Sequence, residues 1–225
     1  SQVQPAVIIN AAALVDINAC EENPKEAQAL NADAVGTLAE YCRETGARLV
    51  QISTDHYFHG NGRQKHDEDA PVDLVNVYAK TKFAGEEKAL TAPGALAVRT
   101  NFTGRRGWGS KPTFLEWAIA AISNGEAPTL FDDFFTSTID VGSLSKALFD
   151  LLEKDDMPSG ILNIASSEVA SKLEFVSCLA AKMGVELKDA RRGSVKALYT
   201  ERPDSLGLDV SRAEVLLGYS LPDLE

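Results

Sequence analysis

The sequence predicts an α/β fold with a doubly wound parallel sheet and a small C-terminal lobe. Short apolar runs rich in Val, Ile and Leu alternate with segments of helical periodicity along the chain. The apolar runs end in small or polar residues, and neither an internal repeat nor a low-complexity linker interrupts the pattern. Such alternation is typical of right-handed crossover units, which form a parallel sheet covered by helices on both faces.

The first half of the chain supplies three of the predicted strands. These strands lie within residues 5–13, 47–54 and 94–101. Each is a short apolar run, as expected for a strand buried on both faces. A helix is predicted over 23–46, because apolar side chains recur every three or four positions and Gly46 provides a stop. A long polar loop over 55–73 leads to a second helix, predicted from about Val77 to Leu90.

The second half continues the alternation. Helices are predicted within 111–126, after an Asp140 cap, after a Ser171 cap, and in the tail before Gly218. Short strands are predicted within 127–133 and 160–166. The helix that carries Trp117 is interpreted as core or as the helix of a homodimer.

Composition and charge limit the partners. The 225 residues are 44% hydrophobic and 24% charged, with a formal net charge of −11. No basic cluster is large enough to follow a nucleic-acid backbone, so no nucleic-acid partner is expected. No apolar run reaches the ~18 residues that indicate a membrane span, so no membrane association is expected. Three cysteines without metal-ligand spacing predict free thiols and a cytoplasmic protein.

Polar or small residues follow three of the predicted strands. They occupy Asn10–Ala13, Ser53–Asp55 and Arg99–Phe102. Ligands of open parallel sheets bind beyond the carboxyl ends of the strands. These three segments are therefore the predicted site.

Tyr78 and Lys82 are four residues apart, so they share one face of the predicted helix. A nearby ammonium favours the phenolate and is expected to lower the pKa of the tyrosine. Tyr78 could then exchange a proton with a carbonyl or hydroxyl oxygen, and the strand-end hydroxyl of Thr54 could polarise the same oxygen. Alone, a Tyr and a Lys at this spacing would be read as helix surface.

These segments resemble, in their order, the extended short-chain dehydrogenases/reductases. Within that family the chain is most similar to the dTDP-4-dehydrorhamnose reductase branch. The resemblance rests on VIINAAA, QISTDHYFHG, DEDAPVDLVNVYAKTKFAGEE, LAVRTNFTG and ERPDSLGLDVSRAEVLLGY. It implies a Rossmann-like fold and NADP or NAD as the cofactor.

The resemblance also implies residue roles. Thr54 would hydrogen-bond the substrate carbonyl, Tyr78 would be the general acid, and Lys82 would lower the pKa of Tyr78 and bind the nicotinamide ribose. The implied cofactor-binding residues are Asn10, Ala11, Ala12, Asn31, Ser53, Tyr78, Lys82 and Asn101. The implied substrate-binding residues are Thr54, His56, Phe102, Arg105, Arg106, Trp108 and Arg202.

Members of the family begin with a Gly-rich strand–turn–helix that holds the cofactor pyrophosphate. No such turn precedes the first predicted strand, so about sixty residues of the dinucleotide-binding half are expected to be missing. The residue that selects NAD or NADP would lie there, which leaves both cofactors open. We expect residues 1–103 and 128–166 to form the N-terminally incomplete Rossmann-like domain, and residues 104–127 and 167–225 the substrate lobe.

Two departures from the family pattern affect the function. His56 stands where the reductase branch has Tyr. Sugar-nucleotide dehydratases carry an Asp-Glu pair after the Thr, whereas here Asp55 precedes His56, which favours reduction over elimination. The nearby His59 could suggest a metal site, but structural metal sites need four well-placed ligands, and we predict a solvated loop without metal.

The Gly-rich basic segment 104–112 has two interpretations. Arg105, Arg106 and Lys111 could bind a substrate diphosphate while Trp108 stacks on a base. Alternatively, the segment is a surface loop. Arg202 is a second candidate for the phosphate.

The predicted function is an NAD(P)H-dependent reductase of a keto group on a nucleotide-linked sugar. Two alternatives remain open, an epimerase of the same superfamily and a non-catalytic binding subunit. The second resembles the regulatory subunit of methionine adenosyltransferase. The expected partner is a small molecule, and a homodimer is considered.

Overall fold

The computed structural model describes residues 3–187 and 190–224. Its strands are β1 Val7–Asn10, β2 Arg48–Ile52, β3 Lys65–His66, β4 Leu96–Arg99, β5 Asn101–Thr103, β6 Thr129–Phe131, β7 Phe135–Thr136, β8 Thr138–Asp140, β9 Gly160–Asn163, β10 Ala170–Ser171, β11 Arg191–Gly193 and β12 Ser205–Leu208. Its α-helices are α1 Ile17–Glu22, α2 Pro24–Gln28, α3 Ala34–Thr45, α4 Val77–Ala89, α5 Phe114–Ser123, α6 Val141–Leu152, α7 Lys172–Lys182 and α8 Ser211–Leu217.

The main sheet is parallel and has the strand order β1-β2-β4-β9. Successive side chains of β2 point to opposite faces. Val50 packs with α6 and α8 in one apolar cluster, whereas Leu49 packs with α3 in another. Helices therefore cover both faces of the sheet, and the predicted fold class is confirmed.

The helix predicted over 23–46 is three segments rather than one. A π-helical turn, Ala29–Asp33, separates α2 from α3. Next to this turn, a Cβ added to Gly85 of α4 would lie 2.0 Å from the carbonyl oxygen of Asn31. The two backbones approach so closely that only glycine fits at position 85.

The predicted loop 55–73 and the tail are more ordered than expected. β3 lies in the loop, β12 lies in the tail, and the two pair in parallel. Together with β7 and β10 they form a second four-stranded sheet. β3 has only two residues and carries no periodicity, and the four residues of β12, SLGL, do not form an apolar run, which is why the sequence pattern revealed neither strand.

Short strands from distant parts of the chain pair outside the main sheet. β6 pairs with β11, and β7 pairs with β12. The predicted division at residues 127/128 places β6 and β7 in the larger domain, and that division stays a prediction. On α5, Trp117 is 38% exposed and stacks on Phe114, while Ala118 and Ile122 are buried.

Two further expectations concern thiols and membranes. Cys20, Cys42 and Cys178 are all free, as predicted. Within residues 3–187 and 190–224, none of the helices has the length and apolar character needed to traverse a bilayer.

Candidate active site

A cavity of about 580 Å³ opens at the carboxyl ends of β1, β2 and β4. This is the position predicted from the three strand ends. Its lining includes Ala11, Ala13, Ser53, Thr54, Asp55, His56, Tyr78, Lys82, Asn101, Phe102, Arg105, Arg106 and Lys172. Its volume falls within the usual range for small-molecule sites.

Tyr78 lies in the first turn of α4 and is 9% exposed. The Asn76 side chain caps this helix by accepting a hydrogen bond from the backbone N–H of Ala79 at 2.8 Å. Burial raises the pKa of Tyr78 well above its ordinary value, and a hydrogen bond with Thr54 opposes this only in part. Tyr78 is therefore a protonated phenol at neutral pH, the form that can donate a proton.

Lys82 lines the same cavity, one turn after Tyr78. Its Nζ donates a hydrogen bond to the Ile52 carbonyl oxygen at 2.7 Å. Burial lowers the pKa of Lys82 to about 8, against the opposing charge of Glu86. The shared helix face was predicted correctly, but the expected lowering of the Tyr78 pKa does not appear, because burial dominates.

Ser53 and Thr54 have different surroundings. The Ser53 hydroxyl donates to Glu86 Oε2 at 2.7 Å and lies 3.0 Å from the Tyr57 hydroxyl. Glu86 in turn forms a buried ion pair with Arg99, with a 2.7 Å contact from Nη2 to Oε1. Ser53 thus ties the end of β2 to α4, and Glu86 ties α4 to β4. Thr54 lines the cavity beside Ser53, with its hydroxyl accepting from the His56 N–H at 3.2 Å.

Asn31 supports the site from behind. Its side chain accepts a hydrogen bond from the Leu14 N–H at 2.7 Å and donates to the Leu14 carbonyl oxygen at 3.0 Å. It also donates to Thr81 Oγ1 on α4 at 3.1 Å. Asn31 therefore fixes the segment after β1 against α4, and it is absent from the cavity lining.

The segment after β1 presents small side chains. Asn10 donates to Gln51 Oε1 at 2.7 Å, and its Oδ1 accepts from the Ala12 N–H at 3.2 Å. Ala11 and Ala13 line the cavity, whereas Asn10 and Ala12 do not. Asn10 thus shapes the turn that places the two alanines.

His56 is buried at the cavity with its Nε2 unpaired by any protein group in the part of the chain described. Its ring lies 5.6 Å from that of Tyr78, edge to face. Burial, reinforced by the charges of Arg202 and Lys172, lowers the pKa of His56 to about 3. His56 is therefore a neutral imidazole with one nitrogen left to bind a ligand.

The basic residues predicted to meet a diphosphate do not all converge. Arg105 and Arg106 line the cavity, and Arg106 also stacks over the ring of Trp108 at 5.4 Å. Trp108 is 64% exposed and, like Arg202, lies outside the lining. Phe102 is at the cavity wall.

The sequence pattern placed Asp55 in the predicted site without giving it a role, and it missed Lys172. Asp55 is buried, and its Oδ2 accepts from Asn101 Nδ2 at 2.9 Å. Burial raises the pKa of Asp55 and lowers that of Lys172, while each charge favours the ionised form of the other. The strand end pointed to Asp55, but Lys172 comes from α7 and had no local signal.

Comparison with known proteins places these residues in a family. The model of the RmlD substrate binding domain matches residues 1–224. The chain is 30% identical to the probable low-salt glycan biosynthesis reductase Agl14 of Haloferax volcanii, over 97% of this chain and 74% of that protein. It is 33% identical to the dTDP-4-dehydrorhamnose reductase of Mycolicibacterium smegmatis, over 82% of this chain but only 56% of that enzyme.

Solved structures agree on the fold. A hypothetical dTDP-4-dehydrorhamnose reductase from Sulfolobus tokodaii aligns with a TM-score of 0.86 and 27% identity, covering 98% of this chain and 77% of that one. The Bacillus anthracis dTDP-4-dehydrorhamnose reductase in complex with NADP aligns with a TM-score of 0.88 and 22% identity, covering 98% and 78%. The resemblance inferred from the motifs is confirmed, and the chain belongs to the RmlD substrate binding domain family.

Proposed function

We propose that the protein is an NAD(P)H-dependent reductase of a keto group on a nucleotide-linked sugar, of the short-chain dehydrogenase/reductase type. The observation that carries this is Tyr78, a buried, protonated phenol beside Thr54 and Lys82 at the carboxyl end of a parallel sheet. The dTDP-4-dehydrorhamnose reductase names of the relatives support a 4-keto sugar nucleotide as the substrate.

The cavity suits the nicotinamide end of such a cofactor. Ala11 and Ala13 leave room where larger side chains would fill the cavity beside Tyr78 and Lys82. These four residues would hold the cofactor, which supplies a hydride when bound. The NADP or NAD in solved relatives supports either cofactor.

The protein's own residues would polarise and protonate the carbonyl. The Thr54 hydroxyl would donate a hydrogen bond to the substrate carbonyl oxygen, and the Tyr78 hydroxyl would give that oxygen its proton. The ammonium of Lys82 would stabilise the phenolate that Tyr78 leaves behind. Arg105 and Arg106 would bind the substrate diphosphate at the cavity mouth.

The test is a cofactor-oxidation assay with dTDP-4-dehydrorhamnose, run with NADPH and with NADH. We expect one equivalent of cofactor to be oxidised for each keto sugar reduced. Epimeric products without net oxidation would identify an epimerase instead. No turnover, together with co-purification with a larger enzyme, would identify a binding subunit.

The cytoplasmic location and the homodimer stay predictions. Cell fractionation would check the location, and sedimentation would check the homodimer.

A further inference from the structure

We propose that Lys172 is a positioning residue that keeps the Asp55 carboxyl group ionised at the wall of the cavity. Lys172 is the first residue of α7, in the smaller lobe, whereas Asp55 follows β2 of the main sheet. Both side chains line the cavity. The link between them is a chain of side-chain hydrogen bonds.

The hydrogen bonds between Lys172 and Asp55 are all donated in the same direction. Lys172 Nζ donates to Thr136 Oγ1 at 3.3 Å, and Thr138 Oγ1 donates to Asn101 Oδ1 at 2.9 Å. A hydroxyl carries one proton, so the 2.9 Å contact between the two threonines must be donated by Thr136. Asn101 Nδ2 then donates to Asp55 Oδ2 at 2.9 Å. Every donor therefore points from the ammonium towards the carboxylate.

This alignment favours charge at both ends. Hydrogen bonds that run in one direction polarise one another, and they are strengthened when a cation starts the chain and an anion ends it. Burial acts against both charges, since it raises the pKa of Asp55 and lowers that of Lys172. Each ion depends on the other to remain charged near neutral pH.

The other ionisable groups around the cavity leave Lys172 as the partner of Asp55. His56 is neutral, because burial lowers its pKa to about 3, and Tyr78 is a protonated phenol. Lys82 donates a hydrogen bond to the Ile52 carbonyl oxygen, and its ammonium charge is stabilised by the negative charge of Glu86. Arg105 and Arg106 also line the cavity, on the loop after β5, but the cationic charge that acts on Asp55 is that of Lys172.

The consequence for turnover rests on the proposed reductase function. The negative charge of Asp55 raises the pKa of Tyr78. Burial is the larger cause of that rise, and Lys172, by keeping Asp55 ionised, adds to it, so that Tyr78 stays in the protonated form needed for carbonyl reduction. A residue of α7 would in this way contribute to the protonation of an acid on α4.

The decisive test titrates Asp55 by carbon-13 NMR of its carboxyl group and requires no turnover. In Lys172→Met we expect the pKa of Asp55 to rise by about one unit or more, because an attractive charge is lost. Lys172→Arg should keep the wild-type value. The matched control is Lys182→Met, an exposed lysine on the same helix. An Asp55 pKa equal in Lys172→Met and Lys182→Met would overturn the proposal.

A reciprocal titration keeps the proposal testable if Lys172→Met does not fold. In Asp55→Asn the pKa of Lys172, followed by its ε-carbon, should fall by a similar amount, since the coupling between two titrating groups is mutual. An unchanged Lys172 pKa would refute the coupling. Because both titrations use the unliganded protein, a failed reductase assay would leave their result intact.

Discussion

Two walls of the same cavity are built in opposite ways. The acid wall consists of residues 53–56 and α4, and its polar groups are tied into buried contacts such as Ser53 with Glu86. The loop wall is formed by Gly104, Arg105 and Arg106, and the segment 104–112 that carries them is mostly exposed. The contrast is clearest between two arginines: Arg99 behind the acid wall is 2% exposed and paired with Glu86, whereas Arg106 of the loop wall lies exposed over Trp108.

The difference separates two tasks. A proton donor must keep one position and one protonation state, which buried hydrogen bonds provide. A flexible diphosphate group can be bound by charged side chains that are exposed to solvent, such as Arg105 and Arg106. Substitutions in the acid wall should therefore affect both stability and chemistry, while those in the loop wall should affect binding alone.

The largest effect is expected at the proton donor. In Tyr78→Phe, kcat for keto-sugar reduction should fall by about 10²–10⁴-fold, because the acid is lost while the ring remains. Steady-state kinetics of the full-length protein would measure this. Tyr41→Phe, on α3 away from the cavity, is the control. A Tyr78→Phe kcat equal to that of the control would remove Tyr78 from the chemistry.

Substituting Arg99 and Arg106 in turn tests whether the two walls contribute differently to the free energy of unfolding. Arg99→Met should lower the free energy of unfolding by about 3–5 kcal/mol, because it leaves the Glu86 carboxylate buried without its partner. Arg106→Met should change it by less than about 0.5 kcal/mol, as usual for an exposed side chain. Urea unfolding of both variants gives the comparison, and similar losses would show that the walls do not differ in this way.

Gly85 tests how closely α4 must approach the π-helical turn. Gly85→Ala should destabilise the protein by about 1–3 kcal/mol and reduce kcat, because the new methyl group would push α4 away from Asn31. The control is Gly36→Ala on α3, where the nearest side-chain atom belongs to Lys88 at 3.2 Å and can move. There a gain of up to about 1 kcal/mol is expected from helix propensity. Equal behaviour of the two variants in thermal unfolding would contradict the close approach.

His56, in the acid wall, should make the free energy of unfolding depend on pH. Its pKa in the folded protein is lowered to about 3, so only the unfolded chain binds a proton as the pH falls below the ordinary value of 6.5. The stability contribution is complete above pH 6.5 and is lost progressively towards pH 3. Relative to His56→Gln, wild type should lose up to about 1.4 kcal/mol per pH unit within this window. Urea unfolding at several pH values measures the slopes, and parallel curves would disprove the prediction.

The smallest effect is expected in the loop wall. Arg106→Gln should raise KM for the sugar nucleotide about tenfold with little change in kcat, because a charge-assisted hydrogen bond to a diphosphate is lost. The difference should shrink as salt is added. Arg43→Gln on α3 is the control. If Arg106→Gln lowers kcat rather than raising KM, the loop wall takes part in the chemistry.

Sequence patterns predicted the parts of the site that depend on periodicity. Parallel strands bring their carboxyl ends to one edge, and a spacing of four puts Tyr78 and Lys82 on one helix face, so their meeting with Thr54 could be foreseen. The depth of burial could not be foreseen. Burial depends on the packing of distant segments. It raises the pKa of Tyr78, whereas the sequence led us to expect that Lys82 would lower this pKa.

Contacts between distant segments also could not be predicted from local sequence patterns. Lys172 joins the site because α7 begins directly after β10, which pairs with β7 from a distant part of the chain, and nothing near residue 172 indicates this pairing. Conversely, Trp108 suggested base stacking, yet it lies outside the cavity lining and contacts Arg106. Side chains on exposed loops are poorly constrained by local pattern.

The π-helical turn at Ala29–Asp33 has a consequence for how this chain tolerates change in length. A π turn holds one residue more than an α turn, so deleting one residue there would restore a continuous α-helix. Everything before the deletion would then rotate by about 100° relative to α3, because that is the angle one residue spans in an α-helix. The Asn31 side chain could no longer face both Leu14 and Thr81. The segment from α2 to α3 should thus accept substitutions on its exposed side more readily than a single-residue deletion in the π-helical turn.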